Sequence, residues 1–217
     1  MRKRLTGWAL AMVILGTLVF ATAGSWRDGW LWAYLAIWAA MSFYGIAGID
    51  NDLARERFRP PERSADAVAL TFVRILAVGH VIVGALDSGR WHFAPVPAAL
   101  RAFSLIAMPL TVGMFFRAMH ENRFFSAVVR VQRDRAHRVV DSGPYAIVRH
   151  PGYLGMMLGM PFSGLALGSF LSAALGLVLA GFFVRRVVFE DAFLRRNLEG
   201  YTEYATRVRH RLIPGVW

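Results

Sequence analysis

The sequence predicts an all-α protein, a polytopic bundle of about six transmembrane helices. Three observations lead to this fold class. Hydrophobic residues make up 56% of the 217-residue chain and the mean hydropathy is +0.43, which is too apolar for an ordinary soluble domain. Apolar runs of about 20 residues, the length needed to cross a bilayer as a helix, recur along the chain. No stretch has the alternating pattern of a β-strand.

The first two runs are uncharged. Leu5 to Ala23 follows the basic residues at positions 2–4, but it is longer than the apolar region of a signal peptide and further spans follow, so it is predicted as the first membrane helix. Trp30 to Ile49 is the second span, with Trp and Tyr near its outer end as in an interfacial belt. Asp50 to Asp66 contains four arginines and Pro60-Pro61, and is predicted as a polar loop.

The third run, Ala67 to Leu86, contains two ionisable residues, Arg74 and His80. Such residues inside a span suggest function by default. The structural alternatives are that Arg74 snorkels to the headgroups and that a neutral His80 bonds to a neighbouring helix. A short outer loop, Asp87 to Pro97, leads into the fourth span, Pro97 to Phe116.

The second half begins with a long basic segment, residues 117–152. Phenylalanine and valine alternate there with arginine, which predicts a partly helical segment lying along the membrane surface. Tyr153 to Val188 is long enough for two tightly joined helices with a turn near Gly168-Ser169.

Charge gives the orientation. The formal net charge is +11, and all but four of the 25 basic residues fall on one side of the predicted spans; the exceptions are Arg27, Arg74, Arg90 and Arg101. This bias predicts six spans with both termini cytoplasmic, in an integral protein of a bacterial cytoplasmic membrane, and it explains the charge better than nucleic acid does. The chain has no cysteine, which excludes disulfides, thiolate chemistry and cysteine zinc sites.

The stretch from Asp141 to Tyr153 is dense in polar groups between two apolar segments. Gly143-Pro144 signals a turn and Pro151 disfavours helix at His150, so the backbone is predicted to be irregular from Ser142 to about Gly152. At a membrane surface the freed backbone groups are satisfied by water or by a bound polar ligand. The residues alone leave both a solvated loop and a ligand site open.

The motif Gly-Pro-Tyr-x-x-x-Arg-His-Pro-x-Tyr-x-Gly, from Gly143 to Gly155, resembles the signature of the isoprenylcysteine carboxyl methyltransferase family and its phospholipid methyltransferase relatives. The preceding run, Arg130 to Val140, is similar to the family's lead-in, which usually has glycine where this chain has Ala136. The closing run, Arg186 to Pro214, also resembles the family, with Glu190-Asp191 where Glu-Glu is common.

The resemblance implies an integral-membrane enzyme that uses S-adenosylmethionine. It implies methyl transfer to a lipid-like or prenylated acceptor, at a carboxylate, amine or thiol, on the cytoplasmic face. Residues 1–217 would form one membrane domain, in which residues 1–120 are a scaffold of four spans. Residues 121–217 would be the catalytic part, with the two-helix hairpin, the cofactor-binding loop and the C-terminal tail.

The resemblance also implies roles for individual residues. Arg186 and Glu190 are four apart, so they share one helix face; they would be catalytic, whereas composition alone favours an ordinary ion pair. His150 would bind the cofactor's carboxylate, and Tyr145 and Tyr153 would line its pocket. The full cofactor set is His137, Val140, Gly143, Tyr145, His150, Tyr153, Leu154 and Glu190.

Three further expectations concern the flanks of the motif and the tail. The lead-in position of Ala136 is expected to need a positive φ, which favours glycine. Tyr201 and Tyr204 are expected to fold the tail back over the pocket. No metal site is predicted, and the sequence leaves the oligomeric state open.

Two other functions compete with methyl transfer. The ending His210 to Trp217 resembles that of NADPH-dependent steroid and sterol reductases, but those enzymes usually have asparagine where this chain has Gly152. A non-catalytic scaffold or transporter would use Arg74 and His80 as polar groups near the membrane midplane.

Overall fold

The computed structural model describes residues 2–60 and 67–217, and this part of the chain is all-α, as the sequence predicts. Its α-helices are α1 (Arg2–Ala23), α2 (Gly29–Ala47), α3 (Asn51–Phe58), α4 (Ala67–Leu86), α5 (Ala98–Glu121), α6 (Pro151–Leu167), α7 (Phe170–Asn197) and α8 (Tyr201–Arg207). A π-helical turn, Asp87–Trp91, continues α4.

Five helices within the described ranges, α1, α2, α4, α5 and α7, are long and apolar enough to cross a membrane. The sixth helix of the bundle, α6, has 17 residues and packs against both α5 and α7. Apolar side chains on the outer faces are highly exposed, for example Val68 at 72% and Leu110 at 73%. Such exposure is tolerated in lipid but not in water, so the protein is an integral membrane protein.

The turn between α6 and α7 lies where the sequence predicts it. Gly168 ends α6 with φ +96°, a left-handed conformation that glycine adopts without strain. The side chain of Ser169 then accepts the N–H of Ser172 and caps α7. A Cβ on Gly164 would stand 2.3 Å from the backbone nitrogen of Ala173, so glycine there lets the two helices approach closely.

The bundle has two chemically different ends. We call the one containing residues 24–28, 87–97 and 168–169 the hairpin end, and the one containing α3, residues 122–150 and the tail the loop end. At the hairpin end the buried Asp87 accepts the N–H groups of Phe93 and Ala94, and the Ser169 hydroxyl donates to it. These contacts close the outer loop onto the α6–α7 turn.

The prediction of a polar loop over Asp50 to Asp66 is wrong in its first half. Residues 51–58 form α3, because the Asp50 carboxylate accepts the N–H of Leu53 at 2.7 Å and caps the helix. Leu53 and Ala54 are buried, so tertiary packing supports this short helix. The rest of the predicted loop, residues 61–66, lies outside the described residues.

The prediction that residues 117–152 form a partly helical segment lying along the membrane surface is also wrong for most of that segment. Helix α5 continues to Glu121, and residues 122–150 are then irregular except for two short 3₁₀ turns, Arg133–Arg135 and Gly143–Ala146. Phe124, Val128 and Val129 are buried. Their side chains therefore pack into the protein, and the segment becomes a wall of the fold rather than a membrane-surface helix.

A buried ion pair anchors α3 to this segment. Glu56 is 3% exposed, and Arg130 donates to its two carboxylate oxygens at 3.2 and 2.7 Å. The Ser126 hydroxyl donates to the same carboxylate at 2.7 Å. Burial opposes ionisation, but the hydrogen bonds from Arg130 and Ser126 outweigh it and hold the pKa of Glu56 below its ordinary value. Helix α3 is therefore held firmly at the loop end.

Candidate active site

A cavity of about 360 Å³ lies at the loop end. Side chains from α3, α4, α6, α7 and α8 line it, together with residues of the irregular 122–150 segment. Among residues 2–60 and 67–217, its wall is mixed: it contains apolar side chains, arginines, histidines, tyrosines and one carboxylate, that of Glu190. A concave, partly apolar site with a few convergent polar groups is typical of small-molecule binding.

Most of the residues singled out in the sequence meet at this cavity. Of those residues, the ones that line it are His137, Val140, Tyr145, His150, Tyr153, Arg186 and Glu190. Gly143 and Leu154 are near in sequence but are not part of the lining. The motif and the closing helix, separated along the chain, thus come together at one site.

Arg186, Tyr153 and Glu190 form a hydrogen-bonded chain in the cavity wall. Arg186 donates from Nε to the Tyr153 hydroxyl at 2.7 Å, and that hydroxyl donates to Glu190 Oε2, also at 2.7 Å. A second guanidinium nitrogen of Arg186 donates to the carbonyl of Ala127 at 2.6 Å. Tyr153 therefore bridges Arg186 and Glu190, whereas their spacing in the sequence alone would predict a direct ion pair.

Asp191 is the centre of the charged network beside the cavity. It is 1% exposed, and Arg149 donates to both its oxygens, at 2.7 and 3.1 Å. The Tyr201 hydroxyl donates to it at 3.0 Å, and Nε2 of His150 lies 3.3 Å away. Two further arginines of α7 and the tail, Arg195 and Arg211, complete its contacts.

Sequence reasoning treated this residue as a minor departure from the family pattern. Asp191 directly follows Glu190, so in a helix the two side chains point about 100° apart and reach different partners. Glu190 lines the cavity, whereas Asp191 holds the structure behind it. The available signal was the pair of basic residues Arg149-His150, whose charge needs a buried acid when the motif is packed inside.

Arg149 also fastens the C-terminal tail. Its guanidinium donates to the carbonyls of Val208 and Arg209 at 2.7 and 2.8 Å, and its backbone N–H donates to the carbonyl of His210 at 3.0 Å. Burial alone would lower the pKa of Arg149, but the bonds to Asp191 outweigh it and raise that pKa. One arginine therefore connects the motif, α7 and the tail.

Three tyrosines close another side of the cavity. Tyr204 donates from its hydroxyl to the carbonyl of Tyr145 at 2.7 Å, and Tyr145 donates to the carbonyl of Ala118 at 3.3 Å. Burial raises the pKa of Tyr145, Tyr201 and Tyr204, so all three are neutral phenols at physiological pH. The expectation that Tyr201 and Tyr204 fold the tail over the pocket is confirmed.

His137 presents a defined tautomer. Its Nδ1 accepts the N–H of Gln132 at 3.2 Å, so the proton of the neutral ring is on Nε2. Burial, together with the charges of Arg130 and Arg135, lowers the pKa of His137 to about 4. At neutral pH the ring is therefore a hydrogen-bond donor without a charge.

Two backbone positions shape the approach to the cavity. Ala136, just before His137, has φ +50°, which confirms that this lead-in position takes the conformation that favours glycine. Gly143 has φ +55°, and a Cβ there would stand 2.7 Å from the Glu121 side chain.

Leu154, another residue of the predicted cofactor set, donates its N–H to the carbonyl of His150 in the first turn of α6.

The N-terminal half supplies lining residues that sequence reasoning missed. Arg57 and Phe58 come from α3, and Leu70, Val73 and Arg74 come from α4. Arg74 had been noticed as an ionisable residue inside a span, but nothing in the sequence placed it beside the motif. The cavity is thus shared by both halves of the chain.

Comparison with known proteins shows a family similarity in the second half of the chain. A model of the isoprenylcysteine carboxyl methyltransferase (ICMT) family matches residues 103–196, which include the motif and most of α7. The chain is 29% identical over 214 residues to the protein-S-isoprenylcysteine O-methyltransferase of Schizosaccharomyces pombe; the match covers 89% of this chain and 86% of that protein.

Two other relatives match over shorter parts. A probable protein-S-isoprenylcysteine O-methyltransferase of Oryza sativa subsp. indica is 36% identical over 92 residues, which cover 42% of this chain and 48% of that protein. The chain thus spans about half the length of the rice relative. The cobalt-zinc-cadmium resistance protein CzcN of Cupriavidus metallidurans is 28% identical over 162 residues, covering 73% of this chain and 64% of that protein. By the family match and the motif geometry, residues 103–196 of this chain are similar to the isoprenylcysteine carboxyl methyltransferase family.

Proposed function

We propose that this methyltransferase takes a methyl group from S-adenosylmethionine and transfers it to a lipid-like or prenylated acceptor at a carboxylate, amine or thiol. One observation carries the proposal: the chain Arg186–Tyr153–Glu190 lies in the wall of a cavity of about 360 Å³, within the part that matches the family. The names of the relatives, which specify S-isoprenylcysteine and O-methyl transfer, support a prenylated acceptor that reacts at oxygen.

The cavity fits the proposed cofactor. Its volume is within the range of small-molecule sites, roughly 300–1,000 Å³. Its wall offers an acid for an ammonium or ribose, hydrogen-bond donors for a carboxylate, and tyrosine rings for a flat base. Bound S-adenosylmethionine would supply a methyl group on a positively charged sulfur, which departs as a neutral thioether, a far better leaving group than a thiolate.

We assign the cofactor contacts residue by residue. Glu190, oriented by Tyr153, binds the ammonium or ribose, and His137 donates from Nε2. His150 faces Asp191 through Nε2, and its other ring nitrogen, Nδ1, is the one we assign to the cofactor's carboxylate. Tyr145 and Tyr153 line the pocket. Val140, Gly143 and Leu154 add contacts, partly through backbone groups.

The same wall can position the acceptor. Arg186 is fixed by Tyr153 and by the carbonyl of Ala127, so its guanidinium is pre-organised to orient an anionic group. A carboxylate acceptor needs no proton removed. An amine or thiol would need a base, and the carboxylate of Glu190 lies in the lining. The buried tyrosines exclude water from the reacting groups.

We further propose that the chain works as one membrane domain, with residues 121–217 as the catalytic part and residues 1–120 as its scaffold. The loop end would face the cytoplasm of a bacterial cell, and both termini would be cytoplasmic. The support is the distribution of charge in the sequence, because all but four of the 25 basic residues fall on one side of the predicted spans.

Calorimetric binding to the detergent-purified protein tests the cofactor. S-adenosylhomocysteine should bind saturably, and Glu190→Gln should weaken it by about tenfold or more, because a charge-assisted hydrogen bond is lost. His150→Ala should abolish this binding in a protein that still melts cooperatively. Glu199→Gln, which changes an exposed acid two residues beyond α7, is the matched control and should bind normally.

Turnover measurements distinguish residues that position the acceptor from residues that bind the cofactor. Arg186→Ala should keep S-adenosylhomocysteine binding and lose methylation of a prenylated cysteine. Binding of NADPH alone would move the chain to the reductase class. Binding of neither nucleotide would favour a non-catalytic membrane role.

A further inference from the structure

Arginines held inside this protein generally have carboxylate partners. Arg149, for example, bonds both oxygens of Asp191. Two arginines in the cavity wall, Arg57 and Arg74, differ: within residues 2–60 and 67–217, neither makes an ion pair or a hydrogen bond with a carboxylate. Arg57 is half-buried, so its guanidinium is costly to hold there without an anion, whereas Arg74 is exposed where it borders the cavity. A ligand with negative charge would remove that cost.

Arg57 is held in place without being neutralised. Its guanidinium lies over the rings of Phe115 and Phe125, with 5.5 and 5.4 Å to the ring centroids. Aromatic faces orient a guanidinium but leave its hydrogen-bond donors available. The preceding residue, Glu56, is fixed by Arg130, so the helix that carries Arg57 is anchored. Arg57 is therefore a pre-organised donor group.

Arg74 reaches the cavity from the membrane side. It lies seven residues after the start of α4, about 10 Å along the helix axis. Leu70 and Val73 of the same helix line the cavity with it, as does Phe183 of α7. This part of the cavity is thus suited to a molecule with an apolar body and a charged end.

Arg57 interacts electrostatically with both Arg74 and Arg186. Burial, with smaller contributions from the charges of Arg186 and Arg74 and against the opposing effect of Tyr153, lowers the pKa of Arg57 to about 10. Three arginines that line one cavity favour the binding of an anion there. Glu190 is already engaged by Tyr153.

We propose that Arg57 and Arg74, together with Arg186, bind the carboxylate of the methyl acceptor and make the enzyme select anionic acceptors. The proposal rests on the function proposed above. It assigns acceptor recognition to α3 and α4, which lie outside the matched residues 103–196. The N-terminal half then contributes specificity as well as a membrane scaffold.

The chemistry explains why several cations are needed. One lone pair of the acceptor carboxylate forms the new oxygen–carbon bond while the bond from the methyl carbon to sulfur breaks, and that electron pair stays on sulfur. No proton is released, and a negative and a positive charge become two neutral groups. Burial in an apolar cavity would protonate the acid and remove its nucleophilicity, whereas nearby arginines keep it ionised.

A matched pair of ligands tests this inference. The probes are N-acetyl-S-farnesylcysteine and its primary carboxamide, which differ in charge but hardly in size. Their binding is measured to the full-length protein in phosphatidylcholine nanodiscs, with and without S-adenosylhomocysteine. The native protein should bind the acid about tenfold or more tighter than the amide, as expected for hydrogen bonds to a charged group.

Variants of the two arginines show whether they cause the preference for the acid. Arg57→Gln and Arg74→Gln, made separately, should each reduce the ratio of acid affinity to amide affinity severalfold. The double variant should bring this ratio to within about twofold of unity. In turnover, each should raise KM for the acid more than it lowers kcat, with S-adenosylhomocysteine affinity unchanged. Arg57→Lys should restore part of the preference because it keeps the charge. The control is Arg55→Gln, which removes an exposed arginine from the same helix.

The outcomes are distinct. Equal binding of acid and amide to the native protein, or an unchanged ratio in the double variant, would overturn the inference. If Arg57→Gln fails to fold, Arg74→Gln alone decides. If the variants instead lose only a stabilisation that phosphatidylglycerol gives the native protein, the arginines bind lipid phosphate and the inference is wrong. Failure of the native protein to bind S-adenosylhomocysteine would refute the proposed function instead.

Discussion

Two buried polar clusters of this protein lie at different depths of the same helix pair, α6 and α7. At the loop end, Asp191 gathers arginines, a histidine and a tyrosine hydroxyl. Nearer the hairpin end, His80 bonds to Ser163 at 3.0 Å and to the hydroxyl of Ser172 at 2.9 Å, and Tyr34 bonds to Ser163 at 2.9 Å.

The difference shows where a membrane protein can place charge. Ions are buried around Asp191, where an irregular backbone and several arginines supply enough partners to offset desolvation. Among the apolar spans, the cluster around His80 uses hydroxyl groups and an imidazole, which cost less to bury. His80 thus joins three helices, as the structural alternative predicted, and the charged cluster shapes the cavity.

The largest effect should come from breaking the charged cluster. Asp191→Ala would leave Arg149 buried without its anion and release the tail, so we expect a loss of roughly 3–5 kcal/mol in stability together with loss of S-adenosylhomocysteine binding. Thermal melting in detergent and calorimetry measure the two effects. The control Asp141→Ala breaks an exposed pair with Arg207, at 53% and 61% side-chain exposure, and should cost about 0–1 kcal/mol. Similar losses in both variants would contradict the central role of Asp191.

Breaking the neutral cluster should cost less and spare binding. Ser163→Ala removes the hydroxyl shared by Tyr34 and His80, so we expect a loss of roughly 1–3 kcal/mol in stability with unchanged S-adenosylhomocysteine affinity. Thermal melting and calorimetry again separate the two quantities. Thr71→Ala, an exposed position of the helix that carries His80, should change stability by less than about 0.5 kcal/mol. A loss of cofactor affinity in Ser163→Ala would show that the clusters are coupled.

Lowering the pH should reduce the stability of the folded protein through protonation of His137 at the loop end. Its pKa in the folded protein is about 4, below the ordinary 6.5, so the unfolded chain binds more protons between these values. The contribution of neutral His137 to stability is complete above about pH 6.5 and is lost as the pH falls to about 4. Melting temperatures across this window should fall less steeply in His137→Gln than in the native protein. Parallel curves would show that His137 does not contribute.

The smallest effect is expected at Ala136. Glycine adopts its left-handed conformation, φ +50°, without the strain that alanine carries, although it also gains entropy in the unfolded chain. Ala136→Gly should therefore stabilise the protein by up to about 1 kcal/mol, seen as a small rise in melting temperature. A fall would mean that unfolded-state entropy outweighs the strain.

Features set by local chemistry could be predicted from the sequence. The turn at Gly168-Ser169, the irregular backbone after Ser142 and the special conformation at position 136 follow from glycine and proline positions. Helix α3 was missed because its apolar residues are few and its stability comes from burial of Leu53 and Ala54 and from the pairing of Glu56. The path of residues 122–150 was missed for the same reason: tertiary contacts outweigh local periodicity.

The sequence by itself determined that this chain is a helical membrane protein and, through the motif from Gly143 to Gly155, which family its C-terminal half resembles. Apolar length and motif spacing are properties of neighbouring residues, so they can be read in one dimension. Only the tertiary structure decided that Asp191 holds the motif to the tail and that Arg57 and Arg74 line the same cavity as Arg186. Those contacts depend on how helices far apart in the chain pack, because a buried charge can pair only with groups that the fold places near it.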